Sequence, residues 1–134
     1  METVLEMFNV EEKINELMNQ TNDLKQILFS GGNIAIIVPS FDESGQFIKT
    51  DDEELYNAQK QDADRLAEYI QNNISPSNIN IILDSDQLSE VLDDIEQPFD
   101  CVLLLHEFMK HERDFVFGEI SDSQHAAAQV IKLY

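Results

Sequence analysis

Apolar positions along the chain follow two rhythms, and the change from one to the other divides it. Met7, Val10, Ile14, Leu17, Thr21, Leu24 and Leu28 recur at alternating spacings of three and four, the a and d register of a heptad. Phe8, Met18, Ile27 and Phe29 widen the stripe. This spacing predicts a long amphipathic helix over residues 1–30, stopped by Ser30-Gly31-Gly32, because glycine tolerates the left-handed conformation that ends helices. Apolar residues flanking the seam are costly to expose on a monomer. Met7, Val10, Ile14, Leu17, Leu24 and Leu28 are therefore expected to associate with a second copy as a coiled coil. The alternative is a helix laid on its own domain.

After Gly32 the rhythm becomes that of strands. Asn33-Ile34-Ala35-Ile36-Ile37-Val38 is a continuous β-branched run, as in a central strand buried on both faces, and Pro39 ends it. Thr50-Asp51-Asp52-Glu53 reads as a capping box opening a helix to about Asn73, with Ala63, Leu66, Ala67 and Ile70 on its buried face. Ser75-Pro76-Ser77-Asn78 is a turn, and Ile79–Leu83 is a second strand. Leu88, Val91, Leu92 and Ile95 mark a helix within 86–96, and Phe99–Leu105 is a third strand. Phe115–Ile120 alternates like a strand, yet equally begins a helix through Ala126-Ala127-Ala128. Val130-Ile131-Lys132-Leu133 is a terminal strand. Strands alternating with helices imply right-handed crossovers. The expected fold of residues 33–134 is a small three-layer, flavodoxin-like α/β domain with a mostly parallel sheet of roughly four to five strands.

Charge narrows the partners. Eight Lys and Arg stand against 27 Asp and Glu, a net charge of −19 in 134 residues. Such a surface repels polyanions over a Debye length of about 8 Å. The few cations are scattered singly, so a phosphate-backbone binder is excluded, and the fitting macromolecular partners are basic protein surfaces. Apolar stretches fall short of the ~20 residues that span a bilayer, so no membrane is expected. The lone Cys101 lies in an apolar run and reads as a small buried hydrophobe in a reducing, cytoplasmic setting.

Ligands of such sheets bind beyond the carboxyl ends of the strands, where strand order reverses. That directs attention to Pro39, Ser40 and Phe41, to Asp84, and to His106. No Gly-rich phosphate loop follows the first strand. His106 and His111 are five residues apart, which turns them away from each other on a helix, so the His106-Glu107 and His111-Glu112 pairs read as polar loop rather than metal site. Asp84-Ser85-Asp86 lacks the later glycine and acid of a calcium loop. No metal and no cofactor is implied. Phe99–Leu105 looks like the third strand of a response-regulator receiver domain, but Leu105-His106 stands where that family carries its phospho-accepting aspartate.

A second similarity lies in Val38-Pro39-Ser40-Phe41 and, further on, in Asp114-Phe115-Val116-Phe117-Gly118-Glu119 followed by Val130-Ile131. Together with the element order across 33–134, these resemble nucleoside 2-deoxyribosyltransferases and their Toll/interleukin-receptor-like relatives. The resemblance implies Glu119 as a nucleophile on the anomeric carbon, Asp114 as its partner acid and Phe41 against the base. A carboxylate trapping an oxocarbenium-like sugar suits that chemistry. The chain departs from the family pattern in lacking Gly-Thr before Glu119 and Gly-Lys before the last strand, and in carrying Ser121 where the family has a glycine two residues after the Glu. The leading expectation is a small acidic oligomeric interaction, regulatory or inhibitor module without catalysis of its own. The alternative is a nucleoside- or nucleotide-binding protein, or an enzyme that cleaves the N-glycosidic bond through Glu119.

Overall fold

The computed structural model describes residues 10–20, 22–29, 32–41, 45–74, 78–82, 88–94, 98–106 and 108–133. The apolar runs become four strands: β1 (Asn33–Ile37), β2 (Asn78–Ile82), β3 (Cys101–Leu104) and β4 (Gln129–Lys132). They form one parallel sheet in the order β2-β1-β3-β4. Ile37 stands between Ile82 and Leu104, and every residue of β1 and β3 is buried. A strand with both faces buried needs a helical layer on each side.

Six helices are described: α1 (Val10–Gln20), α2 (Asn22–Phe29), α3 (Ile48–Asp51), α4 (Glu53–Tyr69), α5 (Leu88–Asp94) and α6 (Lys110–Ser121). Successive strand residues alternate between two cores, as the pleat requires. Ile34, Ile36, Val38, Cys101 and Leu103 meet Ile14, Met18 and Leu28 of α1 and α2, and Ala63 and Leu66 of α4. Ala35, Ile37, Val102 and Leu104 meet Leu88 and Leu92 of α5, and Val116 and Ile120 of α6. The fold is thus three-layered α/β, as expected. Among the described residues no helix is long and apolar enough to cross a membrane.

Of the helix expected over 1–30, residues 10–20 and 22–29 are helical, as α1 and α2, and residues 1–9, 21 and 30 lie outside the described residues. Ile14 and Leu28 reach the same core, and each is fully buried there. Leu17 packs on it half-buried. These residues of the expected coiled-coil seam are already used inside the chain. Val10 and Leu24 fall within α1 and α2, and Met7 lies outside the described residues.

The capping box is displaced by two residues. Thr50 belongs to α3, and Asp52 begins α4 by accepting the Leu55 N–H at 3.1 Å. The helix also closes differently, in a π-helical turn at Ile70–Ile74. Phe115–Ile120 is helical, within α6, and the three alanines follow as turns. Fully buried His125 explains that ending. Its Nδ1 accepts the Phe99 N–H at 2.9 Å, so Nε2 carries the proton that faces Leu92 O at 3.1 Å. The ring also stacks on Phe99, with centroids 4.4 Å apart.

Replacing Ile14 with Asp should destabilise the fold by at least about 3 kcal/mol, since it puts a charge into a filled core. Chemical denaturation and light scattering read this together. A smaller particle of unchanged stability would restore the coiled-coil seam.

Candidate functional site at the switch point of the sheet

β1 and β3 are neighbours, but their connections leave to opposite layers. The chain passes from β1 to α4 on one face and from β3 to α6 on the other. The crevice between the two departing loops is where ligands enter such sheets. Here Ser40 and Phe41, just after β1, are held against the start of α3. Ser40 O accepts the Ile48 N–H at 2.8 Å, and Phe41 bridges to Phe47 with their rings 5.6 Å apart. Gly45 turns the loop at φ +86°, a conformation that disfavours side chains.

This closure presents two successive amides, and they are taken by one side chain. Ser40 N–H donates to Glu112 Oε2 at 2.7 Å, and Phe41 N–H donates to Oε1 at 3.2 Å. Glu112 lies in the first turn of α6 and is only 4% exposed. Two consecutive N–H groups form an anion-binding concavity, and the positive end of the helix macrodipole adds to it. These two features compensate the burial of a carboxylate that would otherwise be costly. The sequence alone reads Glu112, beside His111, as polar loop. The hydrogen bonds span 72 and 71 residues, so no local pattern carries them.

His106 reaches the other side of the crevice. Its Nε2 lies 3.2 Å from Asp62 Oδ2 of α4, and Asp62 also lies 3.6 Å from Arg65. Arg65 in turn holds Glu11 of α1 at 2.9 Å. The network therefore continues into an open groove of about 290 Å³ lined by Glu11, Arg65, Glu68, Tyr69, Asn72 and Asn73. Gln59, one turn before Asp62, is 6% exposed and leaves its Oε1 without a hydrogen-bond partner; nothing in the structure accounts for this.

Of the residues singled out in the sequence, Pro39, Ser40, Phe41 and His106 do gather at the strand ends. Asp84 lies outside the described residues. Asp114 is exposed on α6, 3.9 Å from Arg113. Glu119 sits on the α5 side of α6, where it accepts a hydrogen bond from the Ser89 hydroxyl. It is seven residues beyond Glu112, about 10 Å along the helix axis at 1.5 Å per residue. Asp114 and Glu119 are five residues apart, which points them to different faces of α6. The structure does not bring them to one pocket with Phe41. Among the described residues no group of three His, Cys, Asp or Glu could hold a metal ion. Compared with protein-family models, curated proteins and solved structures, the chain matches none.

Removing the carboxylate in Glu112→Ala strands the buried Ser40 amide and the part-buried Phe41 amide and should cost about 2–4 kcal/mol of stability. Urea denaturation measures it, and a loss below about 0.5 kcal/mol would show that water serves the amides equally well. Cys101 offers a pH test. Burial first, and the Asp100 charge second, push its thiol from 9.0 up to about 12. The folded state thus holds this proton more tightly than the unfolded chain does. The associated stability is intact below pH 9.0 and is lost as the pH rises toward about 12. Cys101→Ala should flatten that alkaline decline in denaturation midpoints, and an unchanged slope would assign it to other groups.

Proposed function

We propose that this protein acts without catalysis of its own, as an acidic interaction module that engages a basic surface on another protein. The observation that carries the reading is the pair of amides at the switch point, held by the protein's own Glu112. An incoming phosphate would have to displace a carboxylate tethered in place, whose effective concentration is high. The crevice that serves small anionic ligands in such sheets is thereby filled from within. The helical layers, by contrast, carry exposed carboxylates on both sides of the sheet. Glu12 and Glu16 on α1, Glu53, Glu54, Asp64 and Glu68 on α4, Glu90, Asp93 and Asp94 on α5, and Asp114 on α6 are all exposed. With a net charge of −19, this surface steers cationic partners and speeds their encounter.

The test sets the two expected functions against each other. Polylysine and a basic globular protein should bind with an affinity that falls steeply as salt rises. Deoxynucleosides, nucleoside monophosphates and NAD should neither raise the melting temperature nor release free base. Base release that disappears in Glu119→Ala would overturn the reading in favour of glycosidic-bond cleavage.

A further inference from the structure

The groove of about 290 Å³ between α1 and the end of α4 holds more negative charge than the chain neutralises. Its lining contains two carboxylates, Glu11 and Glu68, and one guanidinium, Arg65. Arg65 is already matched: its Nη2 donates to both oxygens of Glu11, at 2.9 and 3.3 Å, and its Nη1 lies 3.6 Å from Asp62. Glu68, three residues further along α4, is exposed and has no cationic partner among the described residues. A helix end adds to this charge. α4 runs directly into the π-helical turn Ile70–Ile74, and neither its last turn nor the π-helical turn carries a basic residue. The negative pole of the helix macrodipole, which favours cations, is thus left at the groove without a base of its own.

The same turn supplies neutral acceptors. Asn72 and Asn73 line the groove, and Asn73 Nδ2 donates to Tyr69 O at 3.3 Å, which leaves its Oδ1 to accept. Tyr69 is fixed in the wall because Asn15 Nδ2 donates to its hydroxyl at 2.7 Å. The missing cation cannot be another Lys or Arg of this chain. All eight lie within the described residues, and Arg65 alone lines the groove. A second copy, at a net charge of −19, is repelled. The volume falls at the lower end of the ~300–1,000 Å³ of small-molecule sites, which suits one side chain.

We propose that this groove receives a single arginine side chain of the basic partner. Its guanidinium donates to the Glu68 carboxylate and to the Asn72 amide oxygen, and it packs on the Tyr69 ring. Arginine fits because its planar fork serves two acceptors at once, whereas a lysine ammonium is a strongly hydrated point charge. The inference rests on the basic-partner reading and locates its contact.

The probe is N-acetylarginine N-methylamide, titrated into the whole protein while nuclear magnetic resonance follows the side-chain amides of Asn72 and Asn73. Its comparators are the lysine analogue and the uncharged, similarly shaped citrulline analogue. Glu68→Gln removes the unmatched charge from an exposed position, and Glu90→Gln removes one from α5 on the opposite face. Circular dichroism verifies that both variants fold. The expected result is a saturable shift of the groove amides with the arginine probe, about fivefold weaker binding by Glu68→Gln, and unchanged binding by Glu90→Gln. Should Glu68→Gln fail to fold, the citrulline comparison decides on the unaltered protein, where the expected outcome is no shift. Equal shifts with citrulline, or an equal loss in Glu90→Gln, overturn the groove. Equal affinity for the lysine analogue overturns the assignment to arginine. Unmoved groove signals with polylysine still bound overturn the groove while leaving a basic partner. Failure of every cationic probe, polylysine included, overturns the basic-partner reading itself.

Discussion

β1 and β3 have no solvent-facing side, and the rest of the architecture follows from that. The five residues of β1 and the four of β3 are all buried, so helices must cover the sheet on both faces and connections must leave in both directions. On one face the cover comes from α4 and from the N-terminal helices. Ile14, Met18 and Leu28 are therefore drawn into the chain's own core, and the heptad rhythm they create is spent there. On the other face α5 and α6 supply Leu88, Leu92, Val116 and Ile120. His125 closes that side by serving Phe99 and Leu92 with its two ring nitrogens.

The same constraint produces the crevice. With β1 and β3 adjacent and their outgoing loops on opposite faces, two backbone amides at Ser40 and Phe41 are left at the strand ends. Buried amides need acceptors. In a nucleotide-binding protein of this architecture a phosphate can supply them. Here α6 supplies Glu112, one turn into the helix, with both carboxylate oxygens engaged. The site chemistry is inward-looking, and the charge that remains for outside partners is the carboxylate cover of the helices.

Much of the fold was legible because its signals are local. Apolar runs mark the strands to within a residue or two, and β1 and β3, buried on both faces, run almost without polar residues. The stop at Pro39 and the apolar faces of α4 and α5 are equally short-range. What was not legible depends on distance in sequence. The same seven positions, at six spacings of three or four, describe a coiled-coil seam or a helical stripe laid on the chain's own core, and the burial of Ile14 and Leu28 in that core is not written in the spacing. Phe115–Ile120 alternates by chance, and α6 forms because Val116 and Ile120, four apart, reach the same core. Glu112 reads as polar loop because its amide partners lie 71 and 72 residues away, and the buried role of His125 is equally invisible locally, with partners 26 and 33 residues away. Glu119 drew attention through a resemblance in spacing, and its hydroxyl partner Ser89 on α5 could not be read from that spacing.

The central claim is that an internal carboxylate, and not an exogenous anion, holds the switch-point amides. Nuclear magnetic resonance tests it most directly, by following the Ser40 and Phe41 amide signals while inorganic phosphate is added. The account predicts that both amides exchange slowly with solvent and that neither signal moves as phosphate rises to saturating levels. Signals that shift and saturate together with phosphate, or amides that exchange as freely as an open loop, would contradict it.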